Sequence, residues 1–114
     1  MIDVTRALES LSRITGVAGA MLVEAEAGVP VMEELAEGVH GGAVAALAAA
    51  LYRRTAEAAG AAGFGEVLTL QLEAEDGHVL VAGAGELIVV AIADRDASLG
   101  MIRLQVTRAA GALR

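Results

Sequence analysis

The sequence contains no cysteine, no lysine and no tryptophan, a single proline, and one tyrosine and one phenylalanine as its only large aromatics. Without cysteine there is no disulfide, no thiolate metal site and no cysteine nucleophile, and a reducing compartment suits the chain. Without lysine there is no Schiff-base chemistry and no amine to grip the phosphates of a nucleotide. All eight basic residues are arginine, against fifteen acids, for a formal net charge of -7. An acidic chain with no basic run repels phosphate backbones, which argues against nucleic-acid binding. Long apolar runs are also missing. The longest, Ala43 to Leu51 and Leu87 to Ala93, fall far short of the roughly 20 residues of a membrane span. Asp3 and Glu9 break any signal-peptide pattern, so the expected location is the cytoplasm.

What is present is small and apolar. Hydrophobic residues make up 56% of the 114 positions, mostly Ala, Val and Leu, with 14 glycines. The length suits one domain, residues 1–114. Small side chains let elements approach closely, but each buries little area. A chain this short and this apolar has hydrophobic surface to spare. Oligomerisation is the simplest outlet, because large exposed apolar patches are rare on monomers.

Residues 3 to 14 place Ala7, Leu8, Leu11 and Ile14 on one helical stripe, with Asp3 or Thr5 as cap and Gly16 as terminator. Val17 to Glu26 reads as a strand, Ala27-Gly28 as a turn, and Val29 to Met32 as a short second strand. Pro30 removes a ladder donor, so this strand belongs at a sheet edge. Glu33 to Gly42 reads as a connection, and Gly41 to about Ala62 is the strongest helix signal in the chain. Gly65 to Leu72 alternates with a period of two, Asp76-Gly77 marks a hairpin turn, and His78 to Val81 returns as a strand. Gly83 to Gly85 turns into Glu86 to Ala93, an apolar strand that belongs mid-sheet, covered on both faces. Asp94 to Ser98 connects to a last helix over 99–113. The expected fold is therefore α/β in the α+β sense. It runs α-β-β-α-β-β-β-α, with a five-stranded, mostly antiparallel sheet and helices on both faces.

On a helical wheel, Val44, Leu47, Ala48, Leu51 and Thr55 share one side of the middle helix, taken as the core stripe. Ala46, Ala49, Ala50, Arg53 and Glu57 share the other. A helix apolar all round is usually buried on both sides, and the chain has no spare element to supply the second cover. Two copies packed through this helix would supply it, with Arg53 of one meeting Glu57 of the other. Alanine is also the best helix former and is well tolerated on a surface, so the helix alone leaves both readings open; the apolar surplus favours the dimer. Val67, Thr69 and Gln71 extend the expected seam, if their strand lies at an open edge that pairs with its own copy.

Several local strings fall in a familiar order. Leu8-x-x-Leu11 leads to Gly16-Val17-x-Gly19-Ala20-x-Leu22-Val23, then Gly28-x-Pro30-Val31 and Ala45-Ala46-Leu47. Leu87-Ile88-Val89-Val90-Ala91 and Leu99-Gly100-x-x-Arg103 complete it. In this order and spacing the chain resembles Roadblock/dynein light chain domains, including the bacterial MglB-type regulators of Ras-like GTPases, over almost its whole length. The resemblance implies the element order above, in a Roadblock/profilin-like fold. It further implies dimerisation through the middle helix and the adjacent strand, and a platform of paired helices for a partner such as a small GTPase. It carries no catalytic residues. The departure from the family pattern is His40-Gly41-Gly42, where polar or acidic residues more often open the helix.

Enzymatic signatures are lacking. Gly60, Gly63 and Gly65 have the wrong spacing for a phosphate loop, and Gly83-x-Gly85 is a bare pair. His40 and His78 have no metal-ligand partner at helical or hairpin spacing and read as surface loop or strand residues. Asp94-x-Asp96 reads as helix capping rather than as a cation site. Ser10, Ser12 and Ser98 have no base beside them in sequence. Arg53-Arg54 is the only basic pair, open to a partner, a seam or solvent. The residues therefore predict a non-enzymatic homodimer without cofactor or metal, and the resemblance implies that it regulates a Ras-like small GTPase. The alternatives are a structural adaptor in a larger complex or, less favoured, a small-ligand sensor.

Overall fold

In the computed structural model, which describes residues 4–113, the elements follow the predicted order. They are α1 (Val4–Ser12), β1 (Val17–Glu24), β2 (Val29–Leu35), α2 (Gly41–Ala61), β3 (Thr69–Ala74), β4 (Gly77–Ala84), β5 (Leu87–Ala93) and α3 (Leu99–Leu113). The five strands form one sheet in the order β2-β1-β5-β4-β3, and every pairing is antiparallel. Asp3, one of the two expected caps of α1, lies outside the described residues.

Alternation along β1 and β5 builds two cores. Ala20, Leu22, Val89, Ala91 and Ala93 point to one face, where Leu8 and Leu11 of α1 and Ile102 and Val106 of α3 cover them. Met21, Val23, Ile88 and Val90 point to the other, where Ala45, Ala48 and Ala49 of α2 lie against them. The apolar run of β5 is thus explained: it sits mid-sheet and is buried on both faces.

Element boundaries differ from the expectation for identifiable reasons. α1 ends at Ser12 rather than near residue 14, and Gly16, at φ +92°, turns the chain into β1. β2 continues past Met32 through Glu33, Glu34 and Leu35, residues expected in a connection. An edge strand wets its rim, so carboxylates are tolerated there. Pro30 is on that edge strand as expected, beside a bulge that leaves Val31 without a partner on β1. β3 begins four residues late, at Thr69 rather than Gly65. The Val67 carbonyl is taken by the Tyr52 hydroxyl at 3.3 Å, and the ladder starts only where Gly83 N–H donates to Leu68 O at 3.0 Å. The β3–β4 turn is Glu75-Asp76, with Gly77 already paired to Ala74. Gly83 lies in β4, paired with Ile88, rather than in the turn, and a side chain there would collide with the Tyr52 hydroxyl.

Ile88 is fully buried between α2 and the sheet. Ile88→Ala should lower unfolding stability by about 2–5 kcal/mol, whereas Val31→Ala, on the exposed rim of β2, should change it by no more than about 0.5 kcal/mol. Urea unfolding followed by circular dichroism measures both.

Candidate interaction surface

α2 carries the surface, and its orientation differs from the expectation. Its inward side is Gly41, Ala45, Ala48 and Ala49, with Tyr52 half-buried one turn on. These positions fall at helical spacing on one face. Leu47, placed in the core stripe by size, is 47% exposed, while Ala49, placed on the partner side, is 0% exposed. The β1–β2 turn packs beside this side of the helix: a Cβ added at Gly28 would be in van der Waals contact with Ala46 Cα at 3.4 Å and Ala49 Cβ at 3.5 Å.

Arg53 belongs to the same turn. Its Nη1 donates to Ala25 O at 2.7 Å, closing the β1–β2 turn onto α2. It is half-buried, and one nitrogen of its guanidinium is engaged within its own chain. Glu57 and Ala46 are exposed and Ala50 is half-buried, but with Arg53 they turn toward the β2 side or directly outward. Leu47, Leu51, Arg54 and Ala58 follow one another at spacings i, i+4, i+7, i+11, and Leu47 lines the groove on the β3 side of the helix. Helix periodicity contained this choice, yet size ranking pointed the wrong way. The usable signal was the small-residue string at 41, 45, 48 and 49.

β3 is the second component. It forms one free edge of the sheet. Leu70 and Leu72 pair with Val81 and Val79 and share their face, on the α2 side. Thr69 and Gln71 are exposed and point to the α3 side, where Gln71 Oε1 accepts a hydrogen bond from Arg103 Nη2 at 3.2 Å. Val67 lies before the strand, half-buried and held by Tyr52. Thr69 and Gln71 therefore lie on the edge strand, and Val67 lies in the connection before it.

Between this edge and α2, at the end of β3 marked by Ala74, the sheet is uncovered. A groove of about 540 Å³ opens there, with Leu72, Val79 and Ile92 along its floor and Leu47 on its wall. At the opposite end, the α2–β3 connection displays Phe64, 84% exposed, and Leu68, 60% exposed. Neither was singled out from the sequence; an aromatic between two glycines, Gly63 and Gly65, in a chain nearly free of aromatics was the available signal.

His78, expected at the surface, is 5% exposed beneath the β5–α3 connection, where its Nε2 lies 3.3 Å from Arg95 O. It sits beside the loop backbone because β4 is the second strand in from the edge, covered there by that connection. His40 is exposed just before α2 and makes no side-chain cap hydrogen bond. A second groove, about 910 Å³, runs between α2 and the β1–β2 and β4–β5 turns. It mixes Glu24, Glu26, Glu57 and Glu86 with Arg53 and Arg54, and none of the described residues lining it is Ser, Thr, Cys or His. Among the described residues no group of three His, Asp or Glu side chains is placed to hold a metal ion. Among them, too, no helix is long and apolar enough to cross a membrane.

Known proteins resemble this chain in both sequence and fold. The family model of the Roadblock/LC7 domain matches residues 4–93. The protein MJ0310 of Methanocaldococcus jannaschii is 34% identical over 110 residues, covering 96% of this chain and 94% of that one. The gliding protein MglB from Thermus thermophilus superposes with a TM-score of 0.83 at 26% identity, over 96% of this chain and 84% of that one. An MglB structure with a tetrameric arrangement superposes with a TM-score of 0.84 at 27% identity, over the same shares of 96% and 84%. With the family model covering most of its length and the same fold in its structural neighbours, the chain belongs to the Roadblock/LC7 domain family.

Proposed function

We propose that this chain is a non-catalytic, cytoplasmic regulator that pairs with a second copy through β3 and the outward flank of α2. The paired helices then form a platform for a Ras-like small GTPase whose nucleotide cycle they modulate. The observation that carries the pairing is the contrast between the two sheet edges. β2 is defended by Pro30, by the bulge at Val31, and by Glu33 and Glu34. β3 has no proline, no bulge and no basic residue, and its one charge, Glu73, stands next to its end. An undefended edge beside an uncovered apolar helix flank is the arrangement that a second copy completes.

The GTPase follows from the family resemblance and from the likeness to MglB. A binder without reactive groups acts by preferring one conformation of its partner. Differential affinity between GTP- and GDP-bound forms is the physical content of such regulation, and typical couplings of about 1–3 kcal/mol correspond to roughly 5–150-fold.

Light scattering should report twice the 11.5 kDa chain mass. Leu47→Arg, at a position already half open to solvent, should yield a folded monomer. A wild-type monomer at high concentration would remove the pairing. For the partner, titrating the protein against a Ras-like GTPase from the same genome should give a roughly 5–150-fold affinity difference between nucleotide states and an altered rate of phosphate release. Binding without either effect would leave an adaptor role, and no binding would remove the GTPase reading.

A further inference from the structure

Phe64 is displayed with unusual rigidity for a residue so exposed. Its N–H donates to Ala59 O at 2.9 Å, Gly63 N–H to Gly60 O at 3.1 Å and Ala62 N–H to Ala58 O at 3.0 Å. Gly63 and Gly65, at φ +85° and +80°, supply the left-handed backbone that lets the chain double back around it. The backbone that carries the ring is thus fixed to the end of α2, with 84% of the residue open. Its loop is already ordered, so little conformational freedom remains to be lost on docking.

The groove that could receive a ring offers Leu47, Leu72, Val79 and Ile92 as apolar lining, with Glu75, Asp76, His78 and Asp94 also lining it. Its volume of about 540 Å³ is ample for one phenyl group. Within one chain the two features cannot meet. Phe64 precedes the Thr69 end of β3, and the groove flanks the Ala74 end. Antiparallel pairing of β3 with its own copy removes that separation. A two-fold axis normal to the sheet sets the Thr69 end of one strand beside the Ala74 end of the other, and keeps both α2 helices on one face. Self-complementary interfaces require such placement, with knob and hole on the same chain exchanged by the axis.

We propose that Phe64 of each copy seats in the Leu47–Leu72–Val79–Ile92 groove of the other, making it the aromatic anchor of a two-fold interface between two copies of this chain. The inference rests on the β3 pairing proposed above, and it adds a specific occupant and a specific receptor. Each dimer contains the contact twice. Aromatic anchors in apolar pockets are the residues whose truncation weakens interfaces most.

The test uses the full chain. Sedimentation equilibrium should show Phe64→Ala weakening dimerisation by on the order of 100-fold, at about tenfold for each of the two contacts, with the circular dichroism spectrum unchanged. Phe64→Leu should recover part of the loss. Because the chain has no cysteine, disulfide trapping is clean: mixing Phe64→Cys protein with Leu72→Cys protein should give a cross-linked heterodimer under mild oxidation. A wild-type dimer whose affinity is insensitive to Phe64→Ala and which yields no cross-link overturns the anchor and leaves the β3 pairing standing. A wild-type chain that stays monomeric at all concentrations overturns both.

Discussion

Contact between a helix made of small residues and a sheet made of branched ones sets the rest of this structure. Ala45, Ala48 and Ala49 lie against Met21, Val23, Ile88 and Val90, and Gly28 lets the β1–β2 turn close over Ala46 and Ala49. The opposite face of the sheet is covered differently, by Leu8, Leu11, Ile102 and Val106 from α1 and α3. Two helices with large side chains fill one side, whereas the other has one helix with small ones. A single helix pressed close cannot span five strands. It leaves the β3–β4 corner bare, and with its inward side occupied by alanine it must turn Leu47 and Leu51 outward. The uncovered corner, the apolar flank and the open edge of β3 are three consequences of one packing choice.

Arg53 and Tyr52 hold that choice in place from opposite sides. Arg53 ties α2 to the β1–β2 turn through Ala25 O. Tyr52 lies over Gly83 of β4 and takes the Val67 carbonyl. The same tyrosine therefore fixes the helix over the sheet and delays the start of β3. One of the two aromatic residues is used inside the fold, and the other is left outside it.

Element order and the buried status of β5 were legible because period and turn residues report directly on local geometry. The rotation of α2 was not. Residues 43 to 51 are apolar at every position, so no polar stripe marks which side faces water, and ranking by size favours Leu47 over Ala49 for the core. The side that is buried, with Gly41, Ala45, Ala48 and Ala49, is set by packing against strands far away in sequence. Pro30 correctly marked an edge, yet Glu33-Glu34 concealed how far β2 runs, because an edge strand tolerates charge that a central one rejects. His78 was misplaced for a related reason: a histidine on a short polar-flanked strand looks exposed until the β5–α3 connection folds over it. Of the expected seam residues, Thr69 and Gln71 lie on the open edge. Ala49 and Arg53 turned out to serve the chain's own fold.

Magnitudes limit what the exposed phenylalanine can do. Burying one such ring is worth about 1.5–3 kcal/mol, so two in a symmetric pair give about 3–6 kcal/mol. Bringing two molecules together costs roughly 4–15 kcal/mol in lost freedom. The rings alone therefore cannot hold two copies together. In the proposed pair, backbone pairing along β3 and contact between the Leu47–Leu51 flanks supply the remainder. Neither of these fixes register well, since Thr69 to Leu72 is a short alternating run that could slip by two residues and still match faces. A rigid knob and a groove at opposite ends of the same strand accept one register only, because a slip moves both rings out of both grooves at once. In the proposed pair, association strength comes from the ladder and the helix flanks, and the choice among possible alignments comes from Phe64.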